Sequence, residues 1–204
     1  MSSSRDQILS RVNAALKPLP QRAPLPDWDR ELVQRREPLD PSDLWTRFAA
    51  ELSAVNGTPL TSIDALVTEL RTNNWLHGYC DPTLWPALSP HFDDTFNVET
   101  TFDRTRVDDY TFGITQAFGA IAETGTLILG DLTTSSRLAA LTPWAHIAVI
   151  ATNQIFPDIP AALEALPADP NLIWVTGPSK TADVEGILIE GVHGPGRQYA
   201  LQIS

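Results

Sequence analysis

Sulfur, lysine and long apolar runs are all scarce in this chain of 204 residues. Its one cysteine, Cys80, excludes an intramolecular disulfide, a self-contained iron–sulfur cluster and a multi-cysteine zinc site. No histidine pairs with Cys80 in sequence, so an inert packed residue is expected there, and no metal site is expected anywhere. Lysine occurs twice, at Lys17 and Lys180. No apolar run approaches the ~20 residues that span a bilayer. The opening Met1-Ser2-Ser3-Ser4-Arg5-Asp6 lacks the apolar core of a signal peptide, which predicts a cytoplasmic location. A net charge of −11 argues against nucleic acid or an anionic membrane as partner, since both reward clustered cations.

What remains is globular: 43% hydrophobic and 19% charged, long enough for a real core. Of 14 basic residues, 11 precede residue 110, and only Arg137, Lys180 and Arg197 follow it. All three late cations lie in or beside Gly/Pro/Ser/Thr-rich loops. A solvated face would scatter them, so the pattern favours a small-anion site.

Residues 5–16 read as an amphipathic helix with Ile8, Leu9, Val12, Ala15 and Leu16 on one face. Six prolines from Lys17 to Pro41 inclusive predict an extended arm, so 1–40 is expected to be a helix and Pro-rich arm preceding a domain at 41–204. Such a helix docks on its own domain or on a second copy, making a homo-oligomer through residues 5–16 an expectation. Helices are predicted from Leu44 to Val55 and from Ile63 to Asn73, with a strand at 75–79 and an irregular acidic stretch over 81–110. Apolar runs on both sides of Glu123-Thr124-Gly125-Thr126 predict a hairpin or corner. Ser135-Ser136 starts a short helix, 145–151 is a buried strand, 157–166 a helix, and Leu172-Ile173-Trp174-Val175 another buried strand. Ile187–Ile189 and Gln198–Ile203 are apolar runs of strand type that complete the chain. The alternation points to an α/β domain with an open, largely parallel sheet.

The strand at 172–175 runs into Thr176-Gly177-Pro178-Ser179-Lys180-Thr181-Ala182-Asp183-Val184-Glu185-Gly186. Ser179 or Thr181 can N-cap a helical turn there, with Asp183 and Glu185 near its N-terminus. Backbone N–H groups, hydroxyls and one cation at such a turn make an anion cradle. A capped turn without a ligand satisfies the same residues.

Four segments together resemble the lactate-utilisation (LUD) domain family, in its stand-alone lactate utilization protein C type. They are Gly113-Ile114-Thr115 with Ala120 to Leu127, Leu141-Thr142-Pro143 with His146 to Val149, Thr176 to Gly186, and Gly191-Val192-His193-Gly194-Pro195. The resemblance implies a Rossmann-like open sheet similar to the sugar-phosphate isomerase and CoA-transferase group. It also implies participation in oxidation of L-lactate to pyruvate, beside cysteine-rich partner subunits that carry the iron–sulfur clusters, with no cofactor in this chain. Two departures stand out. Lys180 replaces the family's usual arginine, losing a planar bidentate donor. Gln116-Ala117-Phe118 is bulkier than the small residues often seen there.

The ligand-binding candidates are Thr115, Thr124, Gly125, Thr126, Gly177, Ser179, Lys180, Thr181, Asp183 and Arg197. Loops 113–126, 176–186 and 191–197 are expected to converge at the carboxyl ends of the strands, where open α/β sheets bind ligands. Glu123 is the candidate for acid–base or, by likeness to CoA-transferases, nucleophilic work, although bonding to its own turn is an equal reading. His193, set between glycines and before a proline, is exposed enough to titrate, as catalyst or as hydrogen-bond pivot. His146, inside an apolar run, reads as a satisfied core residue. Two functions stay open: a lactate-system component without a redox centre, binding a small anion, or a stand-alone transferase or ligase similar to CoA-transferases or formyltetrahydrofolate cyclo-ligase. Two lysines are few for the phosphate-binding set of a cyclo-ligase.

Overall fold

Strands form where β-branched and small apolar residues run without charge, and the longest such run, Ala145–Ala151, lies at the middle of the molecule's main sheet. The computed structural model describes residues 3–18, 43–130, 136–167, 171–182 and 185–203. In chain order the elements are α1 Ser4–Leu16, α2 Leu44–Ala54, β1 Thr58–Leu60, α3 Ile63–Thr72, β2 His77–Cys80 and α4 Trp85–Leu88. They continue with β3 Asn97–Glu99, β4 Phe112–Gln116, β5 Gly119–Ile121, β6 Thr126–Gly130, α5 Arg137–Leu141 and β7 Ala145–Ala151. The remainder is β8 Ile155–Phe156, α6 Ile159–Ala165, β9 Leu172–Val175, β10 Lys180–Ala182, β11 Leu188–Glu190 and β12 Arg197–Ile203. No helix among the described residues is long and apolar enough to cross a membrane.

The chain divides into two units, Met1–Glu37 and Pro38–Ser204. In the first, α1 begins at a capping box: Ser3 Oγ accepts the Asp6 N–H and the Asp6 carboxylate accepts the Ser3 N–H. Its apolar stripe of Ile8, Leu9 and Val12 is exposed. The Pro-rich stretch expected to follow falls largely in 19–42, outside the described residues.

The second unit is α/β. Six strands in the order β1-β12-β7-β4-β2-β3 pair entirely in parallel. A four-stranded sheet, β8-β5-β6-β9, contains the hairpin β5–β6, whose neighbour β9 pairs antiparallel. Side-chain alternation sorts the main sheet's two faces. On one, Ile114, Ile147, Val149, Tyr199 and Leu201 meet Leu66 and Leu70 of α3 and Leu84 and Leu88 at α4. On the other, Ala148, Ile150 and Ala200 meet Phe48 and Leu52 of α2, Ala140 of α5, and Leu127 and Leu129 of the smaller sheet. Ile121 and Ile128 on that sheet's outer side pack with Ala162 of α6.

The sequence predicted the two N-terminal helices of this unit closely. Ser62 caps α3 by accepting the Ala65 N–H, and Asn56 and Asn74 leave the helices with positive φ. Three expectations are corrected. Residues 81–110 hold α4 and β3, which short length and acidic neighbours disguised. The strand 172–175 is half-exposed because among the described residues it pairs only with β6. No helix starts at Ser179 or Thr181. Lys180-Thr181-Ala182 instead pairs antiparallel with Leu188-Ile189-Glu190. Ser179 gives its N–H to the Pro195 carbonyl, and its own carbonyl, which would open a helix, accepts the Gly191 N–H instead. Asp183 lies outside the described residues.

Gly125 and Gly177 test how closely α2 is seated. Both have left-handed φ, +63° and +75°. A Cβ on Gly125 would stand 2.3 Å from the Leu52 nitrogen, and one on Gly177 2.3 Å from the Val55 carbonyl oxygen. Gly125→Ala therefore combines left-handed strain with a clash against rigid helix backbone, and should cost about 2–5 kcal/mol. Gly186 has φ +78° but open space around it. Gly186→Ala should cost only about 1 kcal/mol, and urea denaturation of the two variants side by side checks the difference.

Candidate functional site

The loops singled out by sequence do meet, but around the end of a helix. The hairpin turn sets Thr124 and Thr126 beside Thr176 in a chain of hydroxyls, with 2.7 Å from Thr124 to Thr126 and 2.8 Å from Thr126 to Thr176. The antiparallel register of β6 and β9, with Leu127 opposite Val175, brings them together. Gly125 and Gly177 flank this chain and lie against α2 at Glu51–Leu52 and Val55. Ser179 then joins loop 176–180 to loop 191–195 through Pro195 and Gly191.

Lys180 sits at this junction. Its Nζ donates to the Val55 carbonyl at 3.1 Å, next to the C-terminus of α2, where a cation complements the helix dipole. Glu190, opposite Lys180 across the hairpin, places a carboxylate oxygen 3.7 Å from Nζ and accepts a 2.7 Å hydrogen bond from Asn56 Nδ2. At 3.7 Å the Glu190 pair is an ion pair rather than a hydrogen bond, and such partly exposed pairs contribute about 0–1 kcal/mol. An ammonium has three donors, so Lys180 retains capacity for a further oxygen ligand. The sequence singles out Lys180 but not its neighbours Glu190, Asn56 and the Val55 carbonyl. The first two become visible only once the hairpin register and the seating of α2 are known.

The other candidates are dispersed. Loop 191–197 feeds the amino end of β12, where Arg197 pairs with Ala145 at the start of β7. The expected convergence at the carboxyl ends of the strands is thus corrected: the junction of loops 176–180 and 191–195 adjoins the amino ends of the central parallel strands. Arg197 shares its strand face with Tyr199, whose hydroxyl donates to Glu69 of α3 and which feels the Arg197 charge. It therefore lies across the sheet from Lys180, whose partners belong to the α2 side. Thr181 is in β10 opposite Ile189. His193 is exposed in its turn. Glu123 is half-buried, and its N–H is given to the Pro157 carbonyl.

Thr115 is wholly buried and belongs to a different arrangement. Gln198 donates through Nε2 to the Tyr199 carbonyl, leaving Oε1 to accept from His146 Nδ1 at 2.9 Å. With that tautomer, His146 Nε2 accepts the Thr115 hydroxyl at 2.9 Å. Three neighbouring strands are thereby cross-linked, as β4, β7 and β12 each contribute one member. Burial drives the His146 pKa down to about 4, against a smaller upward pull from the Gln198 bond. Cys80 is similarly inert, its thiol pushed up to about 12 by burial and then by Asp81.

A second polar cluster lies at the β2–β3 edge. Glu99 takes hydrogen bonds from Arg106 at 2.8 and 2.9 Å and from Tyr110 at 2.9 Å, and pairs with His77 at 3.0 Å. Burial opposes its ionisation, but the bonds from His77, Arg106 and Tyr110 outweigh it and hold the carboxyl below its ordinary range. The hydroxyl and N–H of Thr105, then Arg106, bring Asp103 to about 2. Every member has a partner, which marks a brace for the sheet edge.

With this geometry in view, the comparisons with known proteins are specific. The LUD domain family model matches residues 74–201. The chain belongs to the LUD domain family. Similar proteins include Lactate utilization protein C of Deinococcus radiodurans, 35% identical over 115 residues, with 54% of each chain covered. That of Halalkalibacterium halodurans is 31% identical over 160 residues, covering 66% of this chain and 67% of the relative. That of Bacillus subtilis is 32% identical over 100 residues, covering 45% and 42%. The matches with the Deinococcus radiodurans and Bacillus subtilis proteins span about half the length of those relatives. A solved DUF162 family protein from Deinococcus radiodurans shares the LUD chain's fold with a TM-score of 0.55 at 20% identity, over 82% of this chain and 100% of that one.

The His146 network makes a signed prediction. Above pH 6.5 the histidine is neutral in folded and unfolded chains alike, and its contribution is fully present. Between 6.5 and about 4 only the unfolded chain takes the proton, so stability falls by up to about 3 kcal/mol as pH drops. Urea denaturation at pH 7, 5.5 and 4.5 should show this slope flattened in His146→Asn relative to the parent, with the variant less stable at pH 7.

Proposed function

We propose that this LUD-domain chain is a cytoplasmic component of an L-lactate-utilisation system, that it binds a small carboxylate, and that it carries no redox centre of its own. The observation that carries the reading is the family match together with relatives named Lactate utilization protein C. Its chemistry supports the division of labour. One cysteine is too few to hold an iron–sulfur cluster, so in this reading the cluster chemistry belongs to cysteine-rich partner subunits.

Lys180 is the anion-binding group in this reading. A carboxylate approaching from solvent meets an ammonium already oriented by the Val55 carbonyl, and Glu190 beside it keeps the site from holding an anion indiscriminately. Ser179 is in the adjoining loop, while the Thr124, Thr126 and Thr176 hydroxyls hold the neighbouring turn in place.

A ligand screen by thermal shift tests the proposal. L-Lactate or pyruvate at about 100 times Kd stabilises by about 2.7 kcal/mol, which raises Tm by roughly 5–10 °C in a chain of this size. Lys180→Ala should remain folded and lose that shift, and Lys180→Arg should keep part of it. Absence of a shift with every small acid, or Lys180→Ala responding as the parent does, overturns the carboxylate site. Turnover of a CoA ester or ATP by the purified chain alone overturns the component role in favour of a transferase or ligase.

A further inference from the structure

Among the described residues, β10 and β11 pair only with each other. A two-stranded hairpin is marginal in water and is stabilised by a third strand or a covered face. This one leaves its apolar residues in solvent: Ile187, Leu188 and Ile189 are 58%, 64% and 44% exposed, with Val192 at 50%. Trp144, 45% exposed, adjoins them, because a Cβ on Gly191 would lie 2.4 Å from its ring. The one charge between Gly186 and Val192 is Glu190, and its carboxylate is engaged by Asn56 and Lys180. Natural edge strands normally carry a charge, a proline or a bulge that repels a second strand. On β11 the single such charge, Glu190, is held by Asn56 and Lys180, and the strand carries no proline.

We propose that β11 pairs with β11 of a second copy, antiparallel about a two-fold axis at Leu188, so that the two hairpins form one four-stranded sheet. Leu188 then faces its own counterpart and Ile187 faces Ile189, a self-complementary contact that closes as a dimer. The exposed apolar surface of these five residues is on the order of 500 Å² per copy, most of the ~800 Å² each partner gives to a standard interface. Charge opposes the pairing and so gives it a signature. Residues 38–204 carry 7 basic and 20 acidic side chains, so two copies repel and associate through apolar and main-chain contacts alone. Salt screens that repulsion and tightens the dimer, whereas it loosens a complex with a basic partner.

Sedimentation velocity of the full chain in 50 and 500 mM salt tests this. The expected result is a micromolar dimer whose population rises with salt, reduced to monomer by Leu188→Asp and left dimeric by Ile8→Asp with Val12→Asp. Because Cys80 is fully buried, Leu188→Cys should give a disulfide-linked dimer on a non-reducing gel after mild oxidation, a readout that stands if Leu188→Asp fails to fold. A chain that stays monomeric at both salts, a Leu188→Cys chain that does not cross-link, or a dimer lost in the Ile8/Val12 variant and kept in Leu188→Asp overturns the proposal. The last result assigns the contact to α1. A complex that weakens with salt also overturns it.

Discussion

The contact on which the site depends is between backbones: α2 lies against Gly125 and Gly177 at distances that leave no room for a side chain on either glycine. Leu52, at the centre of that contact, is also fully buried in the core beneath the main sheet. One helix thus positions the turn after β5, the exit from β9 and, through the Val55 carbonyl, the ammonium of Lys180. The motif glycines that look like ligand cradles in sequence therefore have a packing role.

A different logic governs the centre of the sheet. Parallel strands covered on both faces are usually filled with aliphatic side chains. Here Thr115, His146 and Gln198 take three central positions, and each hydrogen-bonding requirement of the imidazole is met within the layer. Such a fully satisfied network fixes the lateral register of β4, β7 and β12, because a slip by one residue would bury an unpaired imidazole. Specificity of strand pairing, more than added stability, is what polar groups confer in this position.

Much of the fold was legible in the sequence because its signals were local. Ser62 before the Ile63, Leu66, Val67 and Leu70 stripe, and the uncharged run from Ala145, each name their element within a few residues. The hairpin at β10–β11 was not legible because Gly-Pro-Ser-Lys-Thr followed by acidic residues has the composition of a helix N-terminus. What decides against a helix is the Pro195 carbonyl and the Gly191 N–H, which lie far along the chain. Within the site, Lys180 stood out as the one lysine after residue 17. The Val55 carbonyl that orients it has no sequence signature, since every residue carries a carbonyl. Arg197 looked equivalent to Lys180 by composition, and only strand parity separates them by placing Arg197 with Tyr199.

The position of β12 between β1 and β7 also bears on how the chain reaches this structure. Thr58 pairs with Tyr199, and Ala145 with Arg197, so one flank of the sheet joins its most widely separated segments. Loop closure of that length comes before the reward of pairing, and topologies of this kind fold slowly. Until β12 arrives, the flank of β7 that it covers stays an open edge of apolar strand, a template for wrong pairing while the chain is folding.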